Sequence, residues 1–353
     1  MPETRIALIG AGTIGRTHIR AAAATPGVTI IGIADPGPAA KTLADEFGIA
    51  WRPDHHALLA ADRPDGAIVA TPNALHVPLA LDCIAAGVPV LVEKPIADTV
   101  EEAQRLSSAA ATAGVPLLVG HHRRHNPIIR RARELVRGGA LGRLVAANVL
   151  SLFLKPAAYF AVPWRRAPGG GGPVLINMIH EIDLIRFVCG EIVSVQAATS
   201  NVVRGYAVED TAATILHLEG GAVVTITLSD TAASPWSWDQ TSGESLSLFQ
   251  AKADSHFIAG TEGSLTLPSL NLWRHPHAKS WEHPIEPQTV TIERANPYAV
   301  QLQHFAAVVR GEVAPVTPGP DGTRTLAATL AVTRAAELGT PQVLIAPAAP
   351  APA

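Results

Sequence analysis

Lys94 has a position that favours chemistry, because it lies at the end of an apolar run, with only Glu93 between them. Residues 88–92 read Val-Pro-Val-Leu-Val, which predicts a buried strand of a parallel sheet. A lysine partly removed from water has a lowered pKa and can accept a hydroxyl proton or stabilise a developing alkoxide. A lysine just past a strand is more often a solvated loop residue. Pro95 holds the Lys94 backbone extended, with either a trans or a cis bond between them.

A second group of residues has the spacing of a dinucleotide site. An apolar stretch at 6–9 leads into Gly10-Ala11-Gly12-Thr13-Ile14-Gly15, and a helical pattern follows. In this motif the first glycine permits a tight turn, the second lets a pyrophosphate approach, and the third lets the helix pack on the strand. Asp35 ends the next apolar strand, about 20 residues on, where a carboxylate binds the adenosine ribose. Because an acid there repels a 2′-phosphate, the sequence predicts NAD in preference to NADP.

Alternating strands and helices must position these residues. Apolar strands near 28–33, 67–70, 88–92 and 115–119 alternate with helical stretches near 39–47, 74–86 and 100–113. This alternation predicts a doubly wound parallel sheet, in which ligands bind beyond the carboxyl ends of the strands. The polar residues that follow three of these strands are Thr71 and Asn73, Glu93 and Lys94, and Arg124 within 120–127.

The composition excludes several classes of partner. The chain has 353 residues and a formal net charge of −3, with 48% hydrophobic and 16% charged residues. This length predicts two domains, and the charge favours neither nucleic acid nor an anionic membrane as a partner. Two cysteines, no long apolar run and no signal-peptide pattern at the start predict a cytoplasmic protein that acts on a small molecule.

The chain resembles the glucose-fructose oxidoreductase, inositol dehydrogenase and MocA (Gfo/Idh/MocA) family. The resemblance rests on six stretches: the glycine motif with His18, Thr71-Pro72-Asn73 with His76, residues 87–95 with Glu93-Lys94-Pro95, residues 120–124, residues 169–172, and residues 177–183. It implies an NAD(P)-dependent dehydrogenase that acts on CH–OH groups of sugars, polyols or hydroxylated carboxylates. It also implies an N-terminal Rossmann domain, followed by a C-terminal domain on a large, mostly antiparallel sheet that forms homodimers or homotetramers.

The second half supports this architecture independently. Alternating stretches near 144–153, 192–203, 212–218, 222–228 and 264–267 are separated by turn signals, which predicts antiparallel strands. The predicted fold is therefore α/β plus α+β, with a doubly wound parallel sheet before an antiparallel one. We place an NAD-binding domain at 1–121, a substrate-binding and oligomerisation domain at 122–340, and a tail at 341–353. Helical patterns near 297–310 and 323–338 are expected at the domain boundary.

The resemblance and the position of the residues in the chain assign candidate roles. Lys94 and His180 are the expected catalytic pair. The expected cofactor-binding residues are Gly10, Gly12, Thr13, Ile14, Gly15, Asp35, Thr71, Asn73, His76, Glu93 and Lys94. The expected substrate contacts are Arg124, Asn177, His180, Lys155, Trp164 and Arg165, although each of these cations could instead be a solvated surface residue.

One departure from the resembling family affects the proton chemistry. Many members carry an aspartate four residues before the histidine, and this chain has Ile176 there. Asn177 shares a helix face with His180, but an amide cannot titrate. The prediction is therefore a Lys94 and His180 pair without the acid, and whether Asn177 compensates stays open.

The sequence contains two histidine clusters that could bind a metal, and two alternative functions stay open. His121, His122 and His125 form one cluster and His275 and His277 another, but neither has an acidic ligand nearby, so we predict no metal. The alternatives are an NAD-dependent redox-neutral glycosidase and a non-catalytic NAD-sensing regulator. The presence of both Lys94 and His180 argues against the regulator.

Overall fold

The computed structural model describes residues 3–245 and 247–344. Two compact units are present: 1–126 with 295–326, and 127–294 with 327–353. The chain therefore returns to the first unit after forming most of the second. Of the tail predicted at 341–353, residues 345–353 lie outside the described part.

The first 126 residues alternate strands and helices. In chain order these are β1 (Thr4–Ile9), α1 (Thr13–Ala23), β2 (Val28–Ala34), α2 (Pro38–Phe47), β3 (Ala50–Arg52), α3 (His55–Asp62), β4 (Gly66–Val69), α4 (His76–Ala85), β5 (Val90–Glu93), α5 (Val100–Ala113) and β6 (Leu117–Gly120). The strands form a parallel sheet in the order β3-β2-β1-β4-β5-β6. This confirms the doubly wound sheet. Neither β3 nor α3 was predicted; a strand of 3 residues such as β3 is too short to show a period.

The remaining chain carries a larger sheet and further helices. The elements are α6 (Pro127–Arg137), β7 (Leu144–Leu152), α7 (Ile179–Cys189), β8 (Ile192–Ser200), β9 (Thr211–Leu218), β10 (Val223–Ser229), α8 (Trp238–Thr241), β11 (His256–Gly260), β12 (Ser264–Leu267), β13 (Asn271–Arg274), β14 (Glu286–Thr289), α9 (Pro297–Val309), α10 (Gly319–Leu338) and β15 (Gln342–Val343). In the described parts of the chain, no helix combines the length and the apolar character needed to cross a membrane.

The sheet of the second unit has 9 strands in the order β14-β13-β12-β11-β7-β10-β9-β8-β15. Neighbouring strands are antiparallel except β7 and β10, which are parallel. This confirms the predicted large, mostly antiparallel sheet. Strands β11, β13, β14 and β15 were not predicted from the sequence. Residues 286–289 in β14 are all exposed, so this strand lacks the alternation that marks a half-buried strand.

Helix α9 completes the core of the first unit. Leu302 and Phe305 are fully buried, and they share one cluster with Ile6, Leu8 and Ile33 of the parallel sheet. Complete burial of a leucine or phenylalanine side chain contributes about 1.5–3 kcal/mol each. These contacts explain why residues 295–326 belong to the first unit although they follow the second sheet in sequence.

Candidate active site

The glycine loop between β1 and α1 has the geometry that a dinucleotide needs. Gly10 has φ +98°, and a Cβ there would lie 2.6 Å from the Ala70 carbonyl oxygen. A Cβ on Gly15 would overlap the Gly10 carbonyl oxygen, whereas one on Gly12 would meet nothing within 4 Å. Gly12 is the N-cap of α1 and, as a glycine, has no side chain that could bond to the first N–H groups of the helix. An open glycine at an uncapped helix start fits a pyrophosphate.

Asp35 lies after β2 and holds this loop. Its Oδ2 accepts a hydrogen bond from the Ala11 N–H at 2.8 Å, and its Oδ1 accepts one from the Gly37 N–H at 2.7 Å. A carboxylate oxygen can accept more than one hydrogen bond, so both oxygens keep acceptor capacity for ribose hydroxyls. Asp35 therefore has a structural role in addition to the predicted cofactor contact.

Gly12 has space for a methyl group and Gly15 has none, so alanine substitutions at the two positions should differ in effect. Gly15→Ala is expected to lower the melting temperature and to weaken NADH binding, because the new methyl group pushes against the loop backbone. Gly12→Ala is expected to leave the melting temperature within about 2 °C while weakening NADH binding at least tenfold, since its methyl group occupies only the cofactor's space. Thermal unfolding and NADH fluorescence titration measure the two effects. Unchanged NADH binding by Gly12→Ala would contradict this placement of the cofactor.

Glu93 is the last residue of β5 and directly precedes Lys94. Glu93 is 4% exposed, and its Oε1 lies 2.8 Å from Nε2 of His18, which is fully buried on α1. Its Oε2 accepts a hydrogen bond from the Lys94 backbone N–H at 3.3 Å. Burial by itself raises the pKa of Glu93, but the His18 hydrogen bond and the charges of His18, His122 and Lys94 outweigh it and lower the pKa. An ionised, buried carboxylate therefore holds the backbone N–H of Lys94, whose side chain is half-buried. The Lys94–Pro95 bond is cis.

His76 links the ends of two strands. Its Nδ1 lies 2.7 Å from the Pro95 carbonyl oxygen, and its Nε2 lies 2.9 Å from the Thr71 carbonyl oxygen. Burial lowers the pKa of His76, and the two carbonyl contacts oppose this without reversing it. Asn73 is half-buried in the turn before α4. His76 thus ties the chain after β4 to the chain after β5, and the predicted contacts of these residues with NAD stay predictions.

The segment after β6 packs inside the first unit. Arg124 is buried, forms an ion pair with Asp321, and donates to the Val316 carbonyl oxygen at 3.4 Å. His122 stacks on Tyr298 of α9, with ring centres 4.3 Å apart. These partners engage the segment within the first unit, so the predicted substrate contact of Arg124 stays a prediction.

His180 and Asn177 lie on or beside α7 in the second unit. A π-helical turn (Val174–Met178) precedes α7, and single π turns are frequent at functional sites. Asn177 Oδ1 in this turn accepts a hydrogen bond from Lys155 Nζ at 2.7 Å, while Ile176 is half-buried. His180 is 8% exposed, in the first turn of α7. The structure therefore brings together two of the predicted substrate residues, Lys155 and Asn177.

Lys155 has a carboxylate neighbour as well. Its Nζ lies 3.5 Å from Oδ2 of the buried Asp230. Burial lowers the pKa of Lys155 to about 8, although Asp230 opposes the shift. Lys155 therefore changes charge closer to neutral pH than an ordinary lysine, at about pH 8.

Trp164 and Arg165 lie on a short 3-10 turn (Pro163–Arg166) of the same unit. Arg165 stacks its guanidinium on the Tyr159 ring, with Cζ 4.0 Å from the ring centre, and donates to the Tyr159 carbonyl oxygen at 2.8 Å. Trp164 is 50% exposed. The predicted substrate contacts of Trp164 and Arg165 stay predictions, and the sequence gave no sign of Tyr159.

One cluster in residues 3–245 and 247–344 could hold a metal ion, formed by His55, His56 and Asp82. His55 Nε2 lies 2.8 Å from Asp82 Oδ2, a hydrogen bond that links α3 to α4, and the His56 side chain is 70% exposed. Both histidines begin α3, where the helix dipole disfavours a cation. The hydrogen bond between α3 and α4 explains why these side chains lie together. The expectation of no metal stays a prediction.

Comparison with known proteins gives a family. Residues 4–121 match the family described as "Oxidoreductase family, NAD-binding Rossmann fold", and residues 129–266 match the "GFO/IDH/MocA C-terminal domain". The chain belongs to the Gfo/Idh/MocA family. It is thus a nicotinamide-dependent dehydrogenase, as the sequence analysis predicted.

Relatives and solved structures agree with this membership. The rhizopine catabolism protein MocA of Rhizobium meliloti is 35% identical over 192 residues, which is 54% of this chain and 59% of that protein. The scyllo-inositol 2-dehydrogenase (NAD(+)) of Bacillus subtilis is 28% identical over 352 residues, 96% of each chain. The WlbA dehydrogenase from Bordetella pertussis, solved with NADH and UDP-GlcNAcA, has a TM-score of 0.79 at 24% identity and covers 98% of this chain and 100% of its own. At that identity the structural similarity shows the fold.

Proposed function

We propose that this Gfo/Idh/MocA protein is an NAD-dependent dehydrogenase that transfers a hydride between nicotinamide and a carbinol or carbonyl carbon of a sugar, polyol or hydroxylated carboxylate. Lys94 and His180 handle the hydroxyl proton. The proposal rests on the arrangement of residues at the end of β5. There a buried Glu93 and His18 pair holds the Lys94 backbone, in the same unit as an open glycine loop.

The chain's own residues have separate tasks in this reaction. Gly10, Gly12 and Gly15 leave room for the pyrophosphate, and Asp35 accepts hydrogen bonds from the ribose. NAD supplies the hydride acceptor for alcohol oxidation. As the hydride leaves the carbinol carbon, Lys94 stabilises the developing alkoxide and His180 takes the hydroxyl proton, which then passes to water. The products are a carbonyl compound, NADH and one proton.

The names of the relatives that align over nearly the whole chain support the substrate class. Relatives that align over nearly the full chain are named 1,5-anhydro-D-fructose reductase (29% identical) and scyllo-inositol 2-dehydrogenase. Both names refer to ring compounds with several hydroxyl groups. A screen of polyols, aldoses, aldonates and uronates for NAD reduction, with Lys94→Met as the blank, tests the proposal. NAD-dependent glycoside hydrolysis without net NADH formation would favour the glycosidase instead.

A cofactor prediction follows from Asp35. Wild-type enzyme is expected to use NAD with a kcat/KM at least about tenfold above that for NADP, because the carboxylate repels a 2′-phosphate. In Asp35→Ser this ratio should fall, and NAD binding should also weaken because the Ala11 and Gly37 N–H groups lose their acceptor. Steady-state rates with both cofactors measure this. A wild-type preference for NADP would refute it.

We also propose that the exposed face of the large sheet forms a homodimer. Phe257, Asn148, Thr225, Ile215 and Gln196 lie side by side across five strands. Phe257 and Ile215 are each 40% exposed, and the row carries no charge. An uncharged sheet face with exposed apolar side chains is typical of a subunit interface.

A matched pair of variants tests the dimer. Ile215→Glu is expected to convert a dimer into a monomer by light scattering after gel filtration, because it buries a charge in the interface. Val202→Glu places the same charge on the loop after β8, at an apolar residue that is 85% exposed, and should not change the mass. A monomeric wild-type protein at micromolar concentration would contradict the proposal.

A further inference from the structure

The second unit places two cations on one aromatic ring. Lys155 Nζ lies 4.6 Å from the centre of the Tyr159 ring, and Arg165 Cζ lies 4.0 Å from it. The nearby carboxylate of Asp230 is shared. Its Oδ1 accepts a hydrogen bond from Arg204 Nε at 2.8 Å, and its Oδ2 lies 3.5 Å from Lys155 Nζ. One carboxylate therefore serves two cations, Lys155 and Arg204, and Arg165 adds a third positive charge.

Other ionisable groups lie near Lys155. Burial raises the pKa of Glu209, although the hydrogen bond that it accepts from the Val174 N–H and the charge of Lys155 act to lower it. Burial likewise raises the pKa of the Tyr159 phenol. Asp239 acts on Lys155 electrostatically but more weakly than Asp230. Among the described residues, no carboxylate forms an ion pair with Arg165. Arg165 is therefore the cation on the Tyr159 ring that has no carboxylate paired with it in the described residues.

Both cations also keep hydrogen-bond donors. An ammonium has three N–H donors; Lys155 directs one to Asn177 Oδ1 at 2.7 Å and a second towards Asp230 Oδ2 at 3.5 Å, which leaves a third. Arg165 Nη1 donates to the Tyr159 carbonyl oxygen, while its buried Nε has no hydrogen-bond partner in the described part of the chain. A buried, unsatisfied N–H of a cation costs free energy until an acceptor arrives. The acceptor that matches both the donors and the charge is a carboxylate.

We propose that Lys155 and Arg165 bind a carboxylate of the substrate, which is therefore a hydroxylated acid such as an aldonate or a uronate and not a neutral sugar or polyol. The inference rests on the proposed dehydrogenase function and narrows its substrate class. A bound carboxylate supplies a countercharge for Arg165 and acceptors for the remaining N–H donors of Lys155 and Arg165. The hydroxyl-bearing carbons of the same molecule are then the site of oxidation.

The affinity for such an acid depends on pH with a defined sign. Because the pKa of Lys155 is lowered to about 8, the amine loses its charge as the pH rises through that value, and Asp230 and Asp239 oppose the loss while Arg204 promotes it. A bound carboxylate favours the ammonium form. KM for the acid is therefore constant below about pH 8 and rises above it, and binding near pH 8 takes up a proton. KM for a neutral substrate has no such dependence.

Matched substrate pairs test the proposal. The probes are D-gluconate with D-glucitol, D-galactonate with galactitol, and D-glucuronate with D-glucose, and both kcat and KM are measured between pH 6.5 and 9.5. Wild-type enzyme is expected to prefer the acid of a pair, and Lys155→Met should reduce kcat/KM for it at least about tenfold, but about threefold or less for the neutral partner. Arg165→Met should behave similarly, whereas Arg166→Met, on the exposed neighbour in the same turn, should not. Lys155→Arg should retain affinity and lose the rise in KM above pH 8.

Calorimetric binding of the acids separates this inference from the proposed function. Lys155-dependent binding of an acid, with proton uptake near pH 8 but no NAD reduction, would support the carboxylate site and overturn the proposed hydride transfer from the bound acid. Lys94-dependent oxidation of neutral polyols with no preference for acids would do the reverse. Equal losses of kcat for both members of a pair in Lys155→Met would overturn the carboxylate site, because they would mean that Lys155 acts on the reacting hydroxyl. Melting temperatures, with Lys155→Gln as a second variant, exclude misfolding as the cause.

Discussion

Replacing Lys94 by methionine is expected to reduce kcat by about a thousandfold or more, while the dissociation constant for NADH changes by no more than about threefold. Methionine preserves the length and the apolar stem of lysine but removes its proton and charge. The glycine loop and Asp35, which hold the cofactor in the proposal, lie on other strands and stay intact. Stopped-flow and steady-state NADH formation, together with NADH fluorescence titration, measure the two quantities.

Two further lysine variants define what Lys94 contributes. Lys94→Arg keeps the positive charge but cannot give up its proton at accessible pH, so recovery of activity by arginine would indicate electrostatic stabilisation alone. Lys41→Met removes an exposed lysine from α2 and should leave kcat unchanged. A Lys94→Met enzyme with more than a tenth of wild-type kcat would refute the catalytic role. Weakened NADH binding in that variant would instead point to a role of Lys94 in holding the cofactor.

The sequence predicts the first sheet better than the second. Buried parallel strands such as Val90–Glu93 are continuous apolar runs, and the helix Val100–Ala113 begins at the capping residue Thr99 and ends before Gly114, so local signals define them. The strand Glu286–Thr289 has no buried residue, and its pairing with β13 depends on a neighbour rather than on its own pattern. Short or exposed strands of this kind follow from tertiary contacts, which a single sequence does not display.

The candidate site follows the same division. The glycine motif, Asp35 and the strand-end position of Lys94 could be predicted because their spacing is local. The partners that explain the site lie far away in sequence: Glu93 pairs with His18, Arg124 with Asp321, and Lys155 with Asn177 and Asp230. Nothing in the local pattern around Asp321 or Asp230 distinguishes them from solvated acids. Side-chain roles that depend on such pairs therefore needed the structure.

Glu93→Ala is expected to reduce the free energy of unfolding by about 3–5 kcal/mol, the cost of leaving a buried partner unpaired. The variant removes the partner of His18 Nε2, and the other ring nitrogen of His18 already has no hydrogen-bond partner in the described residues. It also removes the acceptor of the Lys94 N–H, so kcat should fall as the strand end loosens. Urea unfolding and steady-state kinetics measure the two effects, and Glu46→Ala, on an exposed glutamate of α2, should cost less than about 0.5 kcal/mol.

The pH dependence and a double variant distinguish this pair from a simple loss of packing. The folded-state pKa of Glu93 is lowered from 4.5, so the stability that the ionised carboxylate contributes is present above that value and is lost as the pH falls through the folded-state pKa. The difference between wild type and Glu93→Ala should therefore shrink below about pH 4.5. His18→Ala combined with Glu93→Ala should cost clearly less than the sum of the single variants, because both remove the same interaction. Additive costs and a difference that does not change with pH would mean that Glu93 only fills space, and Lys94 would then owe its position to the strand alone.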